Sequence, residues 1–139
     1  MVYFWGGTNK DQAMDANIAA AGSFLRVQVS GTFALAEAKD IVIRFMQAMV
    51  DFGLQGVVVE CLEISGDPTT LERYQFGTFF AEEIKKGIVP RATKFAFVGE
   101  APPLDPEHFG ETVALNRGVN LRVFDNVADA QRWIGAEES

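Results

Sequence analysis

Alternating apolar and polar residues predict two half-buried strands in this chain. In residues 24–30, Leu25, Val27 and Val29 alternate with polar side chains, as expected of a strand with one covered face. Residues 119–124 show the same alternation. A tight turn at residues 21–23 joins the first of these strands to a shorter predicted strand at 17–20, so we expect those two to be antiparallel.

Apolar residues at helical spacing predict the long helices. They recur in this way over residues 33–50, where Gly53 ends the pattern, and over residues 69–86, where Gly87 ends it. The apolar runs at 57–64 and 94–98 are typical of buried strands.

Two further helices are predicted near the end of the chain. The first, over residues 105–118, has a proline near its start and a glycine at its end. The second is a short helix over 127–134, which Asn126 caps.

The order of these elements predicts an α/β fold: strand, strand, helix, strand, helix, strand, helix, strand, helix. Strands joined through a helix are usually parallel neighbours with right-handed connections. We therefore expect two layers, with a mixed, mostly parallel five-stranded sheet and helices mainly on one face. The alternating strands indicate that the other face is only partly covered.

The first residues follow neither period and predict an arm, residues 1–15, ahead of one domain at 16–139. The arm carries Tyr3, Phe4 and Trp5, whose large apolar surfaces favour docking. These residues could dock on the less covered sheet face of the same chain or on a second copy of the chain, and the sequence does not decide between the two. We expect a homodimer that buries the arm and that sheet face, or the aromatic helix at 69–86.

The net charge, the apolar runs and the first residues limit which partners and which location we expect for the chain. With 12 basic and 19 acidic residues among 139, the net charge of −7 opposes binding to nucleic acid and to anionic lipid. No apolar run approaches the roughly 20 residues of a membrane span, so we expect no stable membrane insertion. No basic stretch precedes an apolar one at the start, which favours a cytoplasmic location.

The chain has one cysteine and one histidine, and neither indicates a catalytic or metal site. Cys61 lies inside an apolar run and is interpreted as a buried structural thiol. His108 stands among Asp105, Glu107 and Glu111, a spacing that does not give the several His or Cys ligands of a closed metal site. Glycine-rich nucleotide motifs are missing. We therefore predict no metal, no cofactor and no enzyme activity, with an uncharacterised enzyme as a remote alternative.

The end of the chain, residues 116–134, resembles the STAS-like family, which is similar to sporulation anti-sigma-factor antagonists. The similarity lies in a strand that ends in Val123-Phe124 and a short helix with Ala130 and the pair Trp133-Ile134. It extends over about residues 16–134. It implies a βα superhelix with the helices stacked on one side. It also implies a non-enzymatic regulatory module that acts through protein partners.

The same resemblance indicates a candidate site between the third strand and the next helix. In the family, an Asp-Ser-Ser-Gly-like turn there carries a serine that a partner kinase phosphorylates; here only Ser65-Gly66 matches. A helix N-terminus favours a phosphate. The candidate phospho-acceptor or partner-binding residues are Ser65, Gly66, Asp67 and Thr69. The alternative is that Ser65, Asp67 and Thr69 are ordinary turn and cap residues.

The aromatic residues of the predicted helix at 69–86 leave a second function open. Phe76, Phe80 and Ile84 fit a core stripe. Tyr74 and Phe79 fall outside that stripe, so with Phe45 and Phe52 they could line a site for a small apolar ligand or lipid, or form a subunit interface.

Overall fold

The computed structural model describes residues 13–66, 68–90, 92–99 and 120–135. In chain order the elements are β1 (Asp15–Ala21), β2 (Phe24–Thr32), α1 (Leu35–Phe52), β3 (Gly56–Ser65), α2 (Thr70–Lys85), β4 (Lys94–Val98), β5 (Leu121–Phe124) and α3 (Val127–Ile134). The aromatic residues of the predicted arm and the helix predicted at 105–118, with His108, lie outside the described residues.

The five strands form one sheet in the order β1-β2-β3-β4-β5. β1 pairs with β2 antiparallel through a tight turn, whereas β2, β3, β4 and β5 run parallel. The mixed, mostly parallel sheet predicted from the order of elements is confirmed. Met14, assigned to the arm, is buried in the core, and Asp15 is the first residue of β1.

One pairing is irregular and lies close to the end of β3. Gln28 of β2 pairs with Glu60 of β3, but Ser30 pairs with Glu63. Two steps along β2 therefore correspond to three along β3, so β3 holds one extra residue, a β-bulge. Because side chains alternate along a strand, the extra residue reverses which face the following side chains occupy. Ile64 consequently lines the core together with Val59 and Cys61.

The main core lies between the sheet and the pair α1 and α2. Phe80 of α2 stands at its centre, with its ring centroid 4.8 Å from that of Phe95 and 5.7 Å from that of Phe97, both nearly perpendicular. Such edge-to-face contacts add to the stabilisation from burial. Phe76 and Ile84 are buried as well, which confirms the core stripe expected of this helix.

The last helix, α3, packs on the opposite face of the sheet. Its Ala130 is fully buried against Val58, Ala96 and Val98 of β3 and β4. The central residues of these strands, such as Val57 and Val58 of β3, are buried on both faces, because helices cover both. Two of the three described helices share a face, in agreement with the predicted arrangement, and α3 occupies part of the face that was expected to be less covered. None of the described helices is long and apolar enough to cross a membrane.

Candidate functional site

The candidate site lies where β3 ends and the chain turns toward α2. Ser65 is the last residue of β3 and is half-buried. Its Oγ lies 3.3 Å from Oγ1 of Thr32, the last residue of β2, and 3.5 Å from the carbonyl oxygen of Gly31, to which it donates. Two neighbouring strand ends therefore fix the position of this hydroxyl.

The backbone around Ser65 also fixes its position. The N–H of Phe33 donates to the carbonyl of Ser65 at 2.9 Å. Gly66 follows with φ of 91°, in the left-handed region that favours glycine, and is exposed to solvent. The Ser-Gly pair that the sequence singled out thus forms a sharp, glycine-dependent turn with the serine on its strand side.

Thr69 is the N-cap of α2. Its hydroxyl accepts from the N–H of Glu72 at 3.0 Å, and the Glu72 carboxylate accepts from the N–H of Thr69 at 2.9 Å. This reciprocal pair is a capping box, so two backbone N–H groups at this helix end already have acceptors. The cap interpretation holds for Thr69, while Asp67 lies outside the described residues.

The hydrogen-bond contacts of Ser65 decide whether its hydroxyl is activated for nucleophilic attack. A serine nucleophile needs an adjacent general base, such as His, to remove its proton. The groups within hydrogen-bonding distance of Ser65 Oγ are a hydroxyl and a carbonyl oxygen, and neither is such a base. Within the described part of the chain, the site therefore presents a hydroxyl without activating it.

Cys61 lies in the same strand, four residues before Ser65, and is buried. Burial, together with the nearby charge of Glu60, raises the pKa of its thiol to about 12. The thiolate is the reactive form of cysteine, and almost none exists near neutral pH at such a pKa. The expectation of a structural thiol is confirmed.

Two features of this region were not foreseen from the sequence. One is Thr32, whose hydroxyl lies against Ser65; its position at the end of an alternating strand gives no sign of the partner. The other is the ion pair of Glu60 with Arg26 of β2, at 2.6 Å between Oε2 and Nε. The available signal was the Glu60 carboxylate, which directly follows the apolar run Val57–Val59 of β3, because buried charges require partners.

The structure places the aromatic residues proposed for an apolar ligand at different depths. Phe45 is fully buried in the core, whereas Phe52 is the last residue of α1 and is 58% exposed. Tyr74 lies on the surface of α2 with 42% exposure. Phe79 is half-buried with Lys39 Nζ 5.4 Å from its ring centroid.

A small apolar cavity lies between the helices and the sheet, lined by residues that include Met14, Phe45, Cys61 and Ile64. Its volume is about 20 Å³. That is far below the roughly 300–1,000 Å³ of pockets that hold small-molecule ligands. This cavity has no room for a lipid chain.

Comparison with solved structures identifies the fold. An anti-sigma factor antagonist from Mycobacterium paratuberculosis superimposes with a TM-score of 0.58 at 15% identity, over 88% of this chain and 95% of that protein. An uncharacterised DUF3478-family protein with a SpoIIAA-like fold, from Shewanella loihica PV-4, superimposes with a TM-score of 0.51 at 14% identity, over 93% and 99%. No protein-family model and no curated protein matches the chain. The chain has a SpoIIAA-like α/β fold, as its resemblance to the STAS-like family implied.

Proposed function

We propose that the chain is a non-enzymatic regulatory module of the anti-sigma-factor-antagonist type, which binds a protein partner through the end of β3 and the start of α2. The observation that carries this proposal is the placement of Ser65. Its hydroxyl is half-buried, tied to two strand ends, and followed directly by an exposed glycine turn. The fold, shared with an anti-sigma factor antagonist, supports the same assignment.

Regulation in this proposal is phosphorylation of Ser65 by a partner kinase. A phosphate on Oγ adds a charge of about −1.5 to −2 and replaces the hydroxyl that donates to the Gly31 carbonyl. Thr32 can then donate to a phosphate oxygen. Ser65 is half-buried and Gly66 beside it is exposed, so the group extends toward solvent and the fold tolerates it. A partner that packs on this turn meets a large charge instead of a hydroxyl.

The proposal includes a cytoplasmic location and a homodimer. The net charge of −7 argues against nucleic acid as the partner and is compatible with a protein surface that carries positive charge.

Capture of partners from a native lysate of the source organism tests the proposal. We expect the wild-type chain to retain a partner that a Ser65→Glu variant loses, with the bound proteins identified by mass spectrometry. Ser65→Ala is the matched control, since it changes the same side chain without adding charge. Incubating the chain with the lysate and ATP should add one phosphoryl group to the peptide that contains Ser65.

Two results would contradict the proposal. One is equal retention of every partner by wild type and Ser65→Glu, with both proteins folded by circular dichroism. The other is a phosphoryl group that remains on the chain after Ser65→Ala, which would place the modification elsewhere.

A further inference from the structure

Within the part of the chain that the structure describes, the outer edge of β1 has none of the usual features that prevent a strand from pairing with another chain. β1 is the first strand of the sheet, and among the described residues only β2 pairs with it. Its seven residues pair with β2 without a bulge. From Ala16 to Ala21 it contains no charge and no proline. Natural sheets usually protect an edge of this length with lysine, proline or a bulge.

The other edge of the described sheet differs. β5 has only four residues and carries Arg122, which is exposed. The guanidinium carbon of Arg122 lies 5.7 Å from the ring centroid of Phe124 and 5.8 Å from that of Trp133. Short length and a charged side chain both discourage pairing. Of these two edges, β1 is therefore the one suited to accept a further strand.

We infer that β1 pairs antiparallel with β1 of a second copy, so that two sheets join into one of ten strands in a homodimer. A two-fold axis through Ile18 places Ala16 opposite the partner's Ala20 and Asn17 opposite the partner's Ala19. The centre of the contact is uncharged, and apart from Asn17 and Ile18 its side chains are alanine. The two copies of Asp15 lie at opposite ends, roughly 20 Å apart at about 3.3 Å per residue. This self-complementarity is the reason to choose a second copy as the occupant.

The side of α1 next to β1 enlarges the contact. Arg44 Nη2 lies 2.9 Å from Asp15 Oδ1, so this side of the helix flanks the edge strand. Ala48 and Phe52 follow Arg44 at spacings of four residues and continue the same row. Joining the β1 strands brings the α1 helices side by side on one face of the sheet. The small Ala48 allows close approach, and the exposed ring of Phe52 faces the partner's α1.

This inference rests on the homodimer included in the proposed function, but it does not depend on Ser65. The test begins with the mass of the full chain by sedimentation equilibrium at about 10–100 μM, where weak interfaces of limited size are populated. We expect a dimer whose dissociation constant falls as NaCl rises from about 0.02 to about 0.5 M, because salt screens the repulsion between two chains of like charge.

Single proline variants at Ala19 and Ala20 then probe the edge. Along an antiparallel strand the N–H groups point alternately to the two neighbours, so one of these two variants removes only an outward N–H. That variant should keep the unfolding midpoint of the wild type. It should also raise the dissociation constant of the dimer at least tenfold, which is about 1.4 kcal/mol.

If both proline variants unfold the chain, a lysine variant tests the same edge. Ala20→Lys places two lysines in the contact, whereas Ala128→Lys adds the same charge to an exposed position of α3. We expect the first to weaken the dimer at least tenfold and the second to leave it unchanged. A wild-type chain that is monomeric at 100 μM overturns the inference. The strand that pairs with the β1 edge would then come from another segment of this chain or from another protein. A dimer that Ala20→Lys leaves intact overturns the β1 contact but not the homodimer.

Discussion

Arg26 and Glu60 form a forked ion pair across β2 and β3, with Nε 2.6 Å from Oε2 and Nη2 3.3 Å from Oε1. The pair lies on the sheet face opposite α1 and α2. Glu60 is only 7% exposed, whereas the side chain of Arg26 is 44% exposed. The carboxylate therefore depends on Arg26 for its charge balance, while water reaches the guanidinium from outside.

Removing Arg26 should destabilise the fold. Arg26→Ala leaves the Glu60 carboxylate buried without its partner, and a lost partner of a buried charged group costs about 1–3 kcal/mol or more. We expect about 1–2 kcal/mol, since water that replaces the half-exposed arginine hydrates part of the carboxylate. Urea unfolding of wild type and variant measures the change.

Arg44→Ala is the matched control for Arg26→Ala. Arg44 bonds to Asp15 and Asp40 at the surface, and exposed pairs of this kind contribute about 0–1 kcal/mol. A loss for Arg44→Ala as large as that for Arg26→Ala would show that burial of Glu60 does not determine the effect.

Cys61 should be unreactive in the folded protein. With burial raising its pKa to about 12, the thiol stays protonated at pH 8, and the core also shields it. We expect no labelling by iodoacetamide at pH 8 in buffer and complete labelling in urea, read by mass spectrometry. Rapid labelling of the folded chain at a rate independent of its unfolding would contradict the buried position.

The same shift predicts a pH dependence with a definite sign. In the unfolded chain the thiol loses its proton near its ordinary pKa of 9.0, while in the folded chain it keeps the proton to about 12. Above pH 9 the unfolded state therefore binds fewer protons, and stability falls as pH rises from about 9 to 12. Cys61→Ala should remove this part of the alkaline loss, as measured by urea midpoints between pH 8 and 11. Parallel curves for the two proteins would exclude a contribution from Cys61.

The capping box of α2 should contribute measurably to stability. Thr69→Ala removes the acceptor of the Glu72 N–H and should cost about 1 kcal/mol. Thr70→Ala is a suitable control, because Thr70 is equally exposed, lies one residue further and is not part of the box. Thermal unfolding of both variants compares the two positions. Equal midpoints for both variants would mean that the box adds nothing to the fold.

Elements with strong local signals were predicted well from the sequence. β4 and α3 have the predicted bounds. Gly53 is the C-cap of α1, as predicted, and the helix extends to Phe52, two residues beyond the predicted pattern. For α3 the signal is local, since the Asn126 side chain accepts from the N–H of Asp129 at 2.8 Å. Periodicity and caps act between residues close in the chain, so they can be recognised without knowing the tertiary structure.

Features that depend on distant residues were missed. The bulge in β3 appears only when its pairing with β2 is known, because one extra residue does not interrupt the sequence pattern of a strand. The contact of Ser65 with Thr32 joins residues 33 apart in the chain. The face that α3 occupies was not predicted either, although Val58 in β3 and Ala96 in β4 belong to runs that are apolar on both faces. The sequence could therefore indicate the turn of the candidate site but not the partners of its hydroxyl.

Gly31 should be the most sensitive glycine near the candidate site. It has φ of 99°, and a Cβ built on it would overlap the backbone carbonyl of Ala13, which crosses directly over it. A methyl group there forces the segment before β1 away from the end of β2, next to Ser65. Gly31→Ala should cost more than about 2 kcal/mol, because backbone strain and overlap with a fixed backbone combine. Urea unfolding measures this cost.

Gly22→Ala separates the overlap from the strain. Gly22 also has a positive φ, 71°, but its Cβ would have no neighbour within 4 Å, so only the left-handed conformation opposes alanine. We expect a loss of about 1 kcal/mol there. Since the Gly31 carbonyl accepts from Ser65, the Gly31 variant should also alter the turn, visible as chemical-shift changes at Ser65 and Gly66. Equal losses for the two variants would mean that the chain before β1 does not press on the end of β2, and the close approach of Ala13 would be wrong.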